Sequence, residues 1–99
     1  DEETRKFVYV SSVYGRLKFE LFDAAWKVML NAYAEEKAGK VNLVNLKKHI
    51  KNYDDTLLKW QKFVSDNPES ASVYLTTYID QKQDVGIGKT VDYYRAMLK

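Results

Sequence analysis

The chain has 99 residues, of which 45% are apolar and 14% aromatic, enough for one small hydrophobic core in a single domain. Sixteen basic against fourteen acidic residues leave a net charge of only +2, which argues against the concentrated basic face of a dedicated nucleic-acid binder. A mean hydropathy of -0.51, with no run near the ~18 apolar residues of a spanning helix, excludes a membrane span, and the lack of cysteine excludes disulfides and thiol chemistry.

The opening Asp1-Glu2-Glu3-Thr4 has no methionine, as expected of a mature fragment or of a domain excised from a longer polypeptide. Thr4 is the expected cap of a first helix, with the acidic residues ahead of it favourable to the positive end of the helix dipole. Phe7, Val10, Tyr14, Leu17, Leu21, Ala24 and Val28 recur at three- and four-residue spacing, so they share one helix face. The pattern runs to about Lys37, interrupted only by Gly15, and predicts a helix ~45 to 50 Å long. Gly39 is its expected stop, because glycine tolerates the left-handed backbone required there.

Trp26 and Tyr33 lie outside that stripe, seven residues apart on another face of the same helix. They are the candidates for a second buried face, which would call for a third helix or a neighbouring domain. An exposed subset of the aromatic residues would instead offer rings on which sugars stack, making carbohydrate a candidate partner.

Asn42 is the expected cap of a second helix reaching about Ser65, whose stripe is Leu43, Leu46, Ile50, Tyr53, Leu57, Trp60 and Val64. Lys47, Lys48, Lys51, Lys59 and Lys62 fall mostly off this stripe and read as a solvated face. Asn67-Pro68 ends the helix. Residues 73–79 are rich in β-branched and aromatic side chains and admit a strand reading, but no other segment alternates convincingly to pair with them. A third helix over about Pro68–Gln83 is therefore expected. Gly86 and Gly88 mark a loop, Thr90 caps a short last helix, and Val91, Tyr94, Met97 and Leu98 form its inward side. The fold class is all-α, an antiparallel bundle of three to four helices, two long and one or two short.

Little in the chain carries chemistry. Gly86-Ile87-Gly88-Lys89-Thr90 resembles the end of a phosphate-binding loop, yet Gln83 stands where that motif requires glycine, and the residues leading in are polar. His49, the single histidine, has no second histidine or cysteine with which to build a zinc site, and it is the one candidate base for any serine nucleophile. Glu20 with Asp23, and Glu35 or Glu36 with Lys40, have the spacings of solvated helix surfaces, and Asp54 and Asp55 fall on the polar side of the second helix. No catalytic, cofactor-binding or metal-binding residue is expected.

Tyr53-Asp54, Leu57, Trp60, Phe63, Asn67-Pro68, Ala71-Ser72-Val73-Tyr74 and Gly86-Ile87-Gly88 leading into Thr90-Val91-Asp92-Tyr93-Tyr94-Arg95 form a pattern over the C-terminal half. This pattern resembles the helical region that follows the catalytic barrel in some large bacterial glycoside hydrolases and hydrolase-like proteins. The resemblance implies a non-catalytic accessory domain, extracellular or periplasmic, whose partners are the neighbouring domains of a parent chain that holds the catalytic acids. It contains no catalytic residue to carry over. The rival expectation is a free-standing module that binds a partner protein through an aromatic helix face. The varied seam, with Tyr14, Ala24 and Tyr53 among its members, favours a monomer over a regular zipper.

Overall fold

In the computed structural model, residues 1–67 and 88–99 are described. Two long helices, α1 (Glu2–Lys37) and α2 (Leu43–Asp66), are joined by a short linker, and a short helix α3 covers residues 88–95 and tightens into a 3-10 turn at Ala96–Leu98. No strand occurs among the described residues. The expected third helix over Pro68–Gln83, the strand alternative at 73–79 and the Gly86 loop lie outside them.

The start of α1 differs from expectation. Asp1 caps the helix, its Oδ1 accepting from the Glu3 N–H at 3.1 Å and its Oδ2 from the Thr4 hydroxyl at 3.4 Å. Thr4 is already inside the first turn. Aspartate caps at least as well as threonine, and the earlier start places Glu2 and Glu3 inside the first turn, at the positive end of the helix. The C-terminal end follows the sequence: Gly39 takes φ +109°, and the N–H groups of Ala38, Gly39 and Lys40 donate to the carbonyls of Ala34, Glu36 and Glu35. Those carbonyls have no partner further along the helix, so the glycine turn satisfies them.

The linker is then locked to α2 by two side chains. The Glu35 carboxylate accepts from the Asn42 N–H at 2.7 Å, and Asn42 Oδ1 accepts from Val44 and Asn45 at 3.0 and 3.1 Å. One residue thus caps α2 and is itself held by α1. At the far end, both the backbone N–H and the side-chain amide of Asn67 donate to the Phe63 carbonyl.

Leu21, Ala24, Ala25, Val28 and Ala32 of α1 meet Leu46, Ile50 and Tyr53 of α2 and Val91 and Tyr94 of α3 in one buried cluster. The alanines at 24, 25 and 32 let the helix backbones approach closely, and the larger partners fill the seam. Both stripes are therefore core faces, except at their first members. Phe7 and Leu43, each near the start of its helix, are half exposed. α1, at about 54 Å, outruns α2, at about 36 Å, and sets the 57 Å length of the molecule.

α3 also departs from expectation: residues 88–90 are already helical, so Thr90 lies inside the helix and is not its cap, and Gly88 belongs to the helix and not to a loop. Its inward side is as expected. Val91 and Tyr94 are buried, Met97 and Leu98 half-buried.

Two substitutions of opposite sign test these local rules by urea denaturation. Gly15 is exposed within α1, and a Cβ there meets nothing within 4 Å, so Gly15→Ala should stabilise the chain by about 0.5 to 1 kcal/mol. Asn42→Ala removes the α2 cap and should cost about 1 kcal/mol, whereas Asn42→Asp should retain most of it.

Candidate functional site

The surface that stands out is the outer side of α1. Phe19, Trp26 and Tyr33 repeat every seven residues, so they rise along one face at intervals of about 10.5 Å. They are 72%, 57% and 55% exposed, and Leu30 beside them is 50% exposed. Phe22 and Met29, half-buried, fill the adjacent row and line a shallow groove of ≈ 330 Å³ with Phe19, Asp23 and Trp26. Charge stays at the rim. Asp23 pairs with Lys27 at 3.0 Å, one turn apart, and the Lys37 ammonium lies 5.4 Å from the centre of the Tyr33 ring.

Trp26 and Tyr33 therefore share a face, as the sequence predicts, and among the described residues nothing covers it; the expected third helix lies outside them. The core of α1 already lies on another side, where alanines and Val28 meet α2, and the aromatic row points away from it. Phe19, Phe22, Met29 and Leu30 extend the row and were not singled out in the sequence. The signal was present in the seven-residue interval from Phe19 through Trp26 to Tyr33, a second periodicity laid over the core stripe.

Where the two faces of α1 adjoin, an aromatic bracket forms. The Lys18 ammonium sits 4.7 Å from the Trp60 ring centre, 5.5 Å from Phe22 and 5.9 Å from Tyr14, and Tyr14 and Trp60 meet at a 60° tilt with centres 6.3 Å apart. The negative faces of three rings attract the cation, while its alkyl stem covers apolar surface. The Trp60 Nε1 is buried with no hydrogen-bond partner among the described residues, so ring packing and the cation set its position there.

A second long-range connection joins α3 to α2. The Arg95 guanidinium donates to both oxygens of Asp54, at 2.7 and 2.8 Å, and to Asp92 at 3.3 Å. The carboxylate hydrogen bonds, chiefly those to Asp54, raise the Arg95 pKa further above its already high value. Asp54 sits on the polar side of α2, as expected, but no local spacing points to a partner 41 residues away. Both side chains are more than one third exposed, so the fork orients α3 more than it stabilises it.

His49 is half-buried at the edge of the α2 stripe. Among the described residues, no group of three or more His, Cys, Asp or Glu side chains is placed to hold a metal ion, and no helix is long and apolar enough to cross a membrane. Of the phosphate-loop-like segment, Gly88, Lys89 and Thr90 are helical, and Gly86 and Ile87 lie outside the described residues.

Tyr94, in the core and outside this face, gives the fold a measurable pH response. Burial is the largest cause raising its phenol above the ordinary value of 10.0, followed by the charges of Glu36, Tyr93 and Tyr33. The folded state holds this proton more tightly than the unfolded chain. Its stabilising contribution is full below about pH 10 and is lost as pH rises through the raised folded value. Tyr94→Phe should flatten the fall in stability above pH 10, read from urea midpoints across the alkaline range; an unchanged slope would remove Tyr94 as the cause. Compared with models of known families, with curated proteins and with solved structures, the chain matches none.

Proposed function

We propose that this chain is a non-catalytic helical accessory domain of a larger carbohydrate-processing, glycoside hydrolase-like protein, with a structural and docking role. The observation that carries this reading is the outer face of α1. A helix whose core side is already closed by α2 and α3 keeps four large apolar side chains at least half exposed in one continuous row. Scattered exposed hydrophobics are ordinary, but an aligned row on a rigid helix is the form of a surface meant to be covered. The C-terminal resemblance supplies the class of parent protein.

The docking surface belongs, in this reading, to an antiparallel bundle. Two contacts support that arrangement: Glu35, near the end of α1, holds Asn42 at the start of α2, while Tyr14, in the first half of α1, meets Trp60 near the end of α2. The row lies along one uninterrupted helix, Glu2–Lys37, which holds its members in line.

Two measurements test the proposal. The isolated chain should show no hydrolysis of aryl glycosides; activity that disappears on replacing a single carboxylate would refute a non-catalytic role. The coding sequence upstream of Asp1 should encode a barrel-sized domain. A reading frame that opens at Asp1 would transfer the docking face to a self-contained interaction module.

A further inference from the structure

We infer that the outer face of α1 is occupied by a second copy of this chain, in a two-fold symmetric dimer whose axis passes through Trp26. The inference rests on the docking role proposed above and names the occupant. A two-fold interface must be complementary to itself, because the same patch is used by both copies. The α1 row has that property. Phe19 and Tyr33 lie seven residues to either side of Trp26, and Phe22 and Leu30 lie four to either side.

When two such helices run in opposite directions across the axis, Phe19 of each copy meets the partner's Tyr33, Phe22 meets the partner's Leu30, and Trp26 meets the partner's Trp26. Phe19, Phe22, Trp26, Leu30 and Tyr33 each find a large apolar counterpart, while Met29, three residues from the axis, falls opposite Asp23 of the partner copy. The seven-residue interval keeps the row facing the partner helix along its length. The nearest charges on the rim do not oppose the pairing, since Asp23 is already neutralised by Lys27 at 3.0 Å.

The area agrees with a second copy. A buried aromatic side chain covers ~150 to 250 Å², so the four residues that are 50 to 72% exposed offer roughly 110 Å² each, and with smaller shares from half-buried Phe22 and Met29 the total is about 1,000 Å² over both copies. That reaches the lower bound of about 1,000 Å² for a specific interface and lies below the usual ~1,600 Å². An interface at that lower bound makes a weak dimer that exchanges with monomer at low concentration. The groove lined by Phe19, Phe22, Trp26 and Met29 is almost wholly apolar, which suits aromatic side chains of a partner helix better than hydroxyl-rich sugar rings.

Sedimentation equilibrium of the 99-residue chain from low micromolar to millimolar concentration tests this directly. The mass should rise from one chain to two and no further. Trp26→Lys should weaken association by at least about tenfold, as loss of a central aromatic anchor does, while leaving the thermal midpoint near that of the parent because Trp26 is exposed. Leu58→Lys, at an exposed apolar position on α2, should leave association unchanged.

Register is read by cysteine pairing, which is clean in a chain with no cysteine of its own. Phe19→Cys mixed with Tyr33→Cys should form an intermolecular disulfide on oxidation. Phe19→Cys alone should not, because its two copies are about 21 Å apart along the antiparallel pair, nearly four helical turns, far beyond the reach of a disulfide. A single-chain mass at every concentration overturns the inference, as does equal weakening by Leu58→Lys. So does a chain that stays monomeric while its tryptophan emission responds to oligosaccharide, which would assign the row to sugar. Aryl glycoside hydrolysis bears on the accessory reading alone, so the two can fail separately.

Discussion

The structure depends on the close approach of α1 and α2 along a seam of small residues. Ala24, Ala25 and Ala32 bring the helix backbones together around Val28, and Leu46, Ile50 and Tyr53 supply the bulk that α1 omits. A core of this kind is thin. It needs a third element to exclude water from its open side, and Val91 and Tyr94 of α3 provide it. The polar connections follow the same division of labour. Glu35 and Asn42 fix where α2 begins, and Arg95 grips Asp54 to fix how α3 lies on α2.

Placing small residues at the seam has a consequence for the rest of α1. The large aromatic side chains of this helix are concentrated away from the contact with α2, on a side that the core does not use. Phe19, Trp26, Leu30 and Tyr33 therefore add apolar surface without adding to the buried cluster. A helix with two apolar faces leaves one of them to be covered from outside the hydrophobic core. The docking role proposed for this chain, and the self-pairing inferred for the row, both follow from that surplus.

Between the two faces sits Lys18, over Trp60, Phe22 and Tyr14. It places a charge where the core stripe of α2 and the outer row of α1 come nearest. Its alkyl stem covers apolar surface while the ammonium rests against the rings.

Much of the frame was legible in the residues alone. The spacing of both stripes, the Asn42 cap and the Gly39 stop act over one or two helical turns, and local geometry decides them wherever the helix is placed. The start of α1 was misplaced by three residues because Asp1 and Thr4 are both competent caps, and Thr90 was misread because a residue suited to capping is also tolerated inside a helix. What tertiary structure decided is which face of each helix is used. The sequence by itself determined that Trp26 and Tyr33 share a face outside the core stripe. Only the packing of α1 on α2 left that face uncovered among the described residues, and only the fold brought Arg95 to Asp54 and Lys18 to Trp60, because those pairings depend on distances between helices that no local spacing encodes.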